Sequence, residues 1–239
     1  MTIQAVYPRL GLNTLRAACL PLLLTTFAAQ ALEVSIDPHA DLLYRQALPL
    51  LEQADMADDS ASPLRTAASD PELSRQGQAM ARTLPTAVTL LKKSVALDHP
   101  VAQYRLALYY ITFLPTTQIP DAACPLLEAS LKQGFAPPAL AIARWCRPYN
   151  SSPAYREALE SIPRMATLYA PYYPQPATRL ACSRSRPQGL ALQWGHQRDY
   201  QAEVFRLLSD LDPVRRQALL QKAVEINGCA TAQQHLSNR

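Results

Sequence analysis

The side chains with the most definite chemistry in this sequence are its cysteines, which can hold a metal or form disulfides. A zinc site needs ligands at short paired spacing, such as two cysteines separated by two residues. The sequence contains no such pair. Four of the five cysteines lie beyond residue 31, Cys19 being the exception, and an even number in an exported chain favours disulfides instead. The sequence therefore predicts no metal site and no cofactor, and it predicts disulfides among Cys124, Cys146, Cys182 and Cys229.

The other reactive residues do not form a catalytic pattern. The four histidines are His39, His99, His196 and His235. None of them has a metal-binding spacing such as His-Glu-x-x-His, and the chain has no glycine-rich phosphate loop and no Gly-x-Ser-x-Gly turn. The acidic pair Asp58-Asp59 is of a kind that solvated loops commonly carry. The sequence therefore predicts no catalytic residues, and a protein that is not an enzyme.

Tyrosines and arginines are concentrated between residues 144 and 173, which suggests a binding surface. Tyrosine offers a large contact area with a polar tip, and arginine supplies charged contacts. Tyr172 and Tyr173 lie in a proline-rich predicted loop, where a partner contact and plain loop packing are both open. The predicted partner-binding residues are Tyr172, Tyr173, Tyr149, Tyr155, Arg144 and Arg147.

Residues 1–31 have the pattern of a cleaved signal peptide. Arg9 and Arg16 are the only charged groups there, residues 17–29 are mostly apolar, and small residues precede a cleavage site after Ala31. The apolar stretch is only about 13 residues, whereas a membrane-spanning helix needs about 20. We therefore expect a periplasmic or secreted protein with no integral membrane segment after cleavage.

The charge balance indicates the kind of partner. The chain has 23 basic and 19 acidic residues, a net charge of +4, and removal of residues 1–31 brings the charge closer to neutral. Nucleic-acid binding depends on a strong positive field, which this composition does not supply. The expected partner is therefore another protein and not a nucleic acid.

A repeated pattern predicts the fold. Residues 90–94 read LLKKS and residues 126–130 read LLEAS, 36 positions later (126 − 90). Cys146 and Cys182 are separated by the same interval (182 − 146). Such a period is typical of stacked helical hairpins, each of which buries its apolar face against its neighbours. The sequence predicts an all-α fold of stacked antiparallel helical hairpins, an α-solenoid.

The N-terminal part of the mature chain, residues 32–84, is predicted to be a helical unit. Asp37 is expected to cap its first helix, because Asp is favoured before the first turn. Residues 55–63 are acidic and rich in small side chains, which indicates a loop. A second helix is expected to end at about Leu84, just before Pro85.

The repeats are predicted in residues 85–186 and form two regular hairpins and a degenerate one. The regular helices are expected at 87–97, 101–111, 122–133 and 136–146, with Asp121 as a cap and Gly134 as a left-handed terminator. The degenerate unit, residues 153–184, is expected to break near Pro163 and to include a short helix at 177–184. C-terminal helices and a capping repeat follow in residues 187–239, with helices expected at 189–208, 213–226 and 229–236. No strand is predicted.

These hairpins resemble the Sel-1-like repeat, a relative of the tetratricopeptide repeat. The best match is residues 94–110, with Ser94, Ala102, Leu106 and Tyr110 at signature positions. Residues 130–142 and 228–236 follow the same pattern, whereas alanines at 107 and 143 replace the usual glycine. The resemblance implies a tetratricopeptide-like array of hairpins.

The hairpin geometry suggests how the cysteines pair, although four cysteines allow three connectivities. Cys124 and Cys146 are equally distant from the turn near residue 135, so they face each other in an antiparallel hairpin. Cys182 and Cys229 then pair by elimination, which joins the degenerate unit to the last helix.

The predicted function is protein–protein binding by an exported adaptor or scaffold of an envelope complex. One alternative is an immunity protein that neutralises a toxin delivered to the periplasm by type VI secretion. A second is a hydrolase of cell-wall fragments or β-lactams, as proposed for some cysteine-rich relatives of the family. The lack of a nucleophile–base pair argues against the hydrolase.

Overall fold

The computed structural model describes residues 35–64, 70–177, 179–183 and 193–238. The described chain is all-α, built from helical hairpins, with one small two-stranded sheet. The predicted signal peptide lies outside these ranges. Within them, no helix combines the length and the apolar character that a membrane crossing requires.

The first helix, α1, spans Pro38–Leu64. Oδ1 of Asp37 accepts a 2.8 Å hydrogen bond from the backbone N–H of Ala40, which confirms the predicted cap. The predicted loop at residues 55–63 is wrong, because α1 continues through it. Most of the stability of a helix in a protein comes from packing against neighbouring elements. Here α1 packs against the helix that follows it, and this packing outweighs the acidic composition of residues 55–63.

The second helix, α2, spans Asp70–Val95 and runs without a break through Pro85. The predicted helix end near Leu84 is therefore wrong. A proline inside a helix removes one backbone hydrogen bond. Ala87 and Leu91 follow the proline and are fully buried, so their packing offsets that loss.

The next three helices continue the regular hairpins. Helix α3 spans Pro100–Phe113, α4 spans Ile119–Lys132 and α5 spans Pro138–Trp145. Asp121, predicted as a cap, lies inside the first turn of α4. The helix begins earlier because Pro120 is well suited to a first turn. Gly134 has φ +86° and ends α4 as predicted.

The 36-residue register corresponds to a repeated helix contact. The hydroxyl of Ser94, near the end of α2, donates a 2.7 Å hydrogen bond to the carbonyl oxygen of Ala40. Ser130, near the end of α4, donates a 2.7 Å hydrogen bond to the carbonyl oxygen of Pro100. Both serines are fully buried. The register therefore marks where a small side chain lets two helices approach and hydrogen-bond.

The degenerate unit contains short helices. Helix α6 spans Pro153–Ser161 and α7 spans Ala166–Tyr169, with a 3-10 turn at Ile162–Met165 between them. This confirms the predicted break near Pro163. Proline cannot continue the backbone ladder of the preceding turn, so the helix ends there.

A small sheet replaces part of the predicted C-terminal helices. Strand β1 (Gln175–Ala177) pairs antiparallel with β2 (Gln193–Gly195). The helix predicted at 177–184 is wrong, since the described residues of that range are not helical. In the helix predicted at 189–208, residues 189–192 lie outside the described residues, residues 193–195 form β2, and α8 (Gln197–Leu211) begins after them. Prolines at 174 and 176 push the residues before them into extended conformations, which favours a strand.

Helices α9 (Arg216–Asn227) and α10 (Ala230–Ser237) complete the described chain. Gly228 ends α9 in the left-handed conformation, with φ +71°, as predicted. The main core extends from α1 to α8. A second, smaller core lies between α8, α9 and α10 and consists mostly of small side chains around one leucine: Cys182, Ala202, Leu220, Ala223, Cys229 and Ala232.

Candidate partner-binding surface

Both cysteine pairs predicted from the hairpin geometry are disulfides in the structure. Cys124 and Cys146 join the start of α4 to the end of α5, with a Cα–Cα distance of 5.5 Å. Cys182 and Cys229 join the segment after β1 to the start of α10, and both are fully buried. The first bridge ties together the two helices that carry Arg144 and its neighbours.

Two of the tyrosines predicted to contact a partner pack against other side chains of the fold, Tyr155 fully buried and Tyr173 partly buried. Tyr155 is 1% exposed, and its hydroxyl donates a 2.9 Å hydrogen bond to the carbonyl oxygen of Ala139. The ring of Tyr173 packs against Phe135 and Tyr200, with centroids 5.9 and 5.7 Å away. Burial raises the pKa of Tyr173 well above its ordinary value. Contacts within the protein therefore account for the presence of both tyrosines without a partner.

Tyr172 belongs to a cluster around Asp41. Its hydroxyl donates a 2.8 Å hydrogen bond to Oδ1 of Asp41, while Nε of Arg45 donates one of 2.7 Å to Oδ2. Nε2 of His99 lies 3.4 Å from Oδ1 of the same carboxylate. Partial burial raises the pKa of Asp41, but these hydrogen bonds outweigh burial and hold that pKa below its ordinary value.

The same cluster contains a serine, a histidine and an aspartate, but not in a catalytic arrangement. Nδ1 of His99 accepts a 3.2 Å hydrogen bond from the backbone N–H of Ala102, which caps α3. The hydroxyl of Ser94 donates to the carbonyl oxygen of Ala40. Because both ring nitrogens of His99 are engaged, the ring is placed to cap and pack, not to accept a proton from a nucleophile.

The segment from Tyr172 to Ala177, here called the crossing segment, runs over three helices. The hydroxyl of Tyr104 in α3 donates a 2.5 Å hydrogen bond to the carbonyl oxygen of Pro176. The hydroxyl of Tyr200 in α8 lies 3.0 Å from the carbonyl oxygen of Gln175. The Gln175 side chain lies 3.3 Å from the hydroxyl of Tyr44 in α1. Tyrosine hydroxyls therefore fix this extended segment to the helices.

The other three predicted residues, Arg144, Arg147 and Tyr149, lie on one part of the chain that solvent reaches. Arg144 and Arg147 are exposed, and Tyr149 is half-buried in the turn after α5. Trp145 and Lys132 join them, although the sequence interpretation did not single out either. We call these five residues the α4–α5 surface.

Cations on this surface lie over aromatic rings. The guanidinium carbon of Arg144 lies 5.0 Å from the centroid of the Trp145 ring. Nζ of Lys132 lies 5.6 Å from the centroid of the Tyr149 ring. A cation over an aromatic face is attracted by about 0.5–1 kcal/mol at an exposed site and keeps its charge. The rings therefore orient the cations without neutralising them.

Two polar atoms of the same surface have no hydrogen-bond partner among the described residues. They are the indole Nε1 of Trp145 and the hydroxyl of Tyr149, and both atoms are buried. Partial burial, with the charge of Glu128 as a second cause, raises the pKa of Tyr149, so its hydroxyl stays protonated. An unpaired buried donor costs about 1–3 kcal/mol.

An apolar groove of about 570 Å³ lies between α2 and the end of α3. Its lining includes Met80, Leu84, Val88 and Tyr109, together with Phe113, whose exposed fraction is 49%. The groove is apolar, whereas the α4–α5 surface combines charge with aromatic area.

In the part of the chain that the structure describes, no group of three or more His, Cys, Asp or Glu residues could hold a metal ion.

Comparison with known proteins gives no relative from which a function could be transferred. No family model matches the chain, and neither a curated protein nor a solved structure matches it significantly. The function is therefore inferred from the contacts, burial and charges of the described residues.

Proposed function

We propose that this chain is an exported Sel-1-like repeat protein that acts by binding another protein, as an adaptor or scaffold in an envelope complex. The repeat assignment is supported by the equivalent contacts of Ser94 and Ser130, which lie one 36-residue period apart (130 − 94). In Sel-1-like repeats, small residues at such positions let the paired helices approach closely.

Export is supported by the two disulfides. Structural disulfides form and persist in oxidising compartments and are rare in the cytosol. The bridges between Cys124 and Cys146 and between Cys182 and Cys229 are both largely inaccessible to solvent. A periplasmic or secreted location suits both of them, and the pattern of residues 1–31 agrees with it.

The observation that carries the proposal is the α4–α5 surface. Arginine, tryptophan and tyrosine are the residues that most often dominate the binding energy of protein interfaces. Here Arg144 lies over Trp145 in α5, Lys132 of α4 lies over Tyr149 in the turn that follows α5, and the Cys124–Cys146 bridge joins α4 to the end of α5. A rigid surface loses less conformational entropy on binding than a mobile one.

Affinity capture with a charge-reversed surface tests the proposal. The oxidised protein, expressed from its full sequence, is compared with the double variant Arg144→Glu and Arg147→Glu in capture from an envelope extract. The matched control reverses two exposed lysines in the last turn of α2, Lys92→Glu and Lys93→Glu, with the same change in net charge. We expect the parent and the lysine control to capture a protein that the arginine variant does not capture. An identical set of captured proteins in all three samples would contradict it.

A further inference from the structure

The unpaired polar groups of the α4–α5 surface share one chemical property, which is that they donate hydrogen bonds. The side chains of Lys132, Arg144 and Arg147 have donors and no acceptor, and the indole of Trp145 is a donor only. Tyr149 carries a protonated hydroxyl. The complementary ligand must therefore be rich in acceptors, and carboxylates and backbone carbonyls are the acceptors that a polypeptide offers.

The cations of this surface form no ion pair within the described chain, although the charge of Glu128 acts on Tyr149. Arg45, Arg105 and Arg215 form ion pairs with carboxylates at 2.5–2.7 Å. By contrast, Arg144 and Arg147 have no carboxylate within ion-pair distance in residues 35–64, 70–177, 179–183 and 193–238. The same holds for Lys132. An acidic ligand would therefore pair with these cations without breaking an existing ion pair.

Because this surface is rich in donors and its cations form no ion pair among the described residues, we propose that the α4–α5 surface binds an acidic peptide segment of the partner protein. This inference rests on the proposed function, because it names the chemistry of the partner at the same site. Carboxylates of the segment pair with Arg144, Arg147 and Lys132, and the segment lies beside the partly buried rings of Trp145 and Tyr149. The positions of the cations over their rings lower the entropy that pairing costs.

An anionic membrane has similar charge, but it fits the surface less well. Membrane-binding segments carry clusters of about 4–8 lysines and arginines, whereas the α4–α5 surface is defined by fewer cations. The aromatic rings of Trp145 and Tyr149 are partly buried under Arg144 and Lys132, so they do not project as membrane anchors do.

The chain offers an internal probe for this inference, because it has two tryptophans. Trp145 lies in the α4–α5 surface, while Trp194 lies in β2. The centroid of the Trp194 ring is 5.8 Å from the guanidinium carbon of Arg105. The two indole N–H resonances in a ¹⁵N-labelled sample are assigned with Trp145→Phe. A peptide of five Glu-Ala repeats is then added, and a peptide of five Gln-Ala repeats serves as its neutral counterpart.

The expected result is a shift of the Trp145 indole resonance with the Glu-Ala peptide, and no shift of Trp194. Arg144→Glu with Arg147→Glu is expected to weaken this binding at least tenfold, and Lys92→Glu with Lys93→Glu to change it less than twofold. Equal binding of the Gln-Ala peptide, or an equal loss in the lysine control, would overturn the inference. Displacement of the peptide by phosphatidylglycerol vesicles would overturn it in favour of a membrane.

The capture experiment separates this inference from the proposed function. If the arginine variant loses its captured protein while the Glu-Ala peptide leaves Trp145 unchanged, the acidic-segment inference fails and the binding function stands. If the peptide shifts Trp145 while capture is the same for parent and variant, the proposed binding function at this surface fails.

Discussion

The hydroxyl of Tyr172 donates a 2.8 Å hydrogen bond to Oδ1 of Asp41, a residue 131 positions earlier in the chain. Asp41 lies in the first turn of α1, and Tyr172 begins the crossing segment within the degenerate unit. In a simple repeat array each unit contacts only its neighbours. Here the degenerate unit contacts the first helix directly, so the two ends of the hairpin series stabilise each other.

The first prediction concerns this hydrogen bond. Tyr172→Phe removes the donor while the ring stays in place, and we expect a loss of about 1–2 kcal/mol in the free energy of unfolding, because the acceptor is charged. Tyr110→Phe is the matched control, since its hydroxyl has no hydrogen-bond partner among the described residues. Urea unfolding of the two variants measures the difference. Equal stabilities would show that the bond to Asp41 contributes nothing.

The second prediction is a loss of stability in acid that depends on His99. Burial lowers the pKa of His99 below its ordinary value of 6.5, and the hydrogen bond with Asp41 only partly opposes this. Below that value the unfolded chain binds a proton that the folded chain resists, so the free energy of unfolding falls as the pH falls. The lowered pKa of Asp41 adds a further loss near and below 3.8, where its carboxylate becomes protonated.

Removing the imidazole isolates the His99 contribution. Asparagine at position 99 can still cap α3 through its side-chain oxygen, but it does not titrate. We expect His99→Asn to flatten the dependence of stability on pH between about 7 and 5. His39→Asn, at an exposed position of α1, is the control that keeps the dependence. A His99→Asn profile parallel to that of the parent would contradict this assignment.

The third prediction compares two glycines in different surroundings. At Gly134, φ is +86°, and a Cβ atom would lie 2.5 Å from Cγ of Met165. We therefore expect Gly134→Ala to destabilise the protein by about 1–3 kcal/mol. Gly77 lies in α2, where a Cβ atom would have nothing within 4 Å, so Gly77→Ala should stabilise by up to about 1 kcal/mol. Thermal or urea unfolding that gave both changes the same sign would contradict the prediction.

The fourth prediction concerns the second disulfide. The small core of α8, α9 and α10 includes both Cys182 and Cys229, which are 47 positions apart in the chain. On the chain-entropy model, loss of that bridge costs about 4 kcal/mol. In the double variant Cys182→Ala and Cys229→Ala, we expect amides of α10 to lose protection from hydrogen exchange while those of α3 keep it.

The other disulfide supplies the comparison for that experiment. Cys124→Ala with Cys146→Ala opens a loop of 22 positions, which costs about 3 kcal/mol on the same model. Its effect should be local to α4, α5 and the surface they carry, with α10 still protected. If both double variants exposed the same amides, the small core would not be an independent unit of stability.

The helical hairpins could be predicted from sequence because their determinants are local and periodic. Ser94 and Ser130 repeat at the interval of the fold, and Gly134 and Gly228 occur where the chain needs a positive φ. The pairing of Cys124 with Cys146 also follows from their distances to one turn. The helix ends at Leu84 and near residue 55 were mispredicted, because packing of α1 against α2 outweighs a single proline or an acidic stretch.

The crossing segment and the site could be predicted only in part, because they depend on contacts distant in sequence. Nothing near Tyr172 in the sequence indicates that Asp41 will accept its hydrogen bond. Trp145 was not singled out, although its position beside Arg144 is the signal that would have identified it. Of the six residues predicted to contact a partner, Arg144 and Arg147 are exposed and Tyr149 is half-buried, whereas Tyr155 is buried. Tyr172 and Tyr173 are partly buried, and they contact Asp41 and Phe135.

The crossing segment also has a consequence for any partner of this protein. It is an extended peptide whose carbonyl groups are held by tyrosine hydroxyls from α3 and α8, as a bound peptide would be. The chain thus supplies its own ligand to the tyrosine-lined face formed by α1, α3 and α8. An outside peptide could reach Tyr44, Tyr104 and Tyr200 only by competing with a segment that is covalently attached and therefore always at high local concentration.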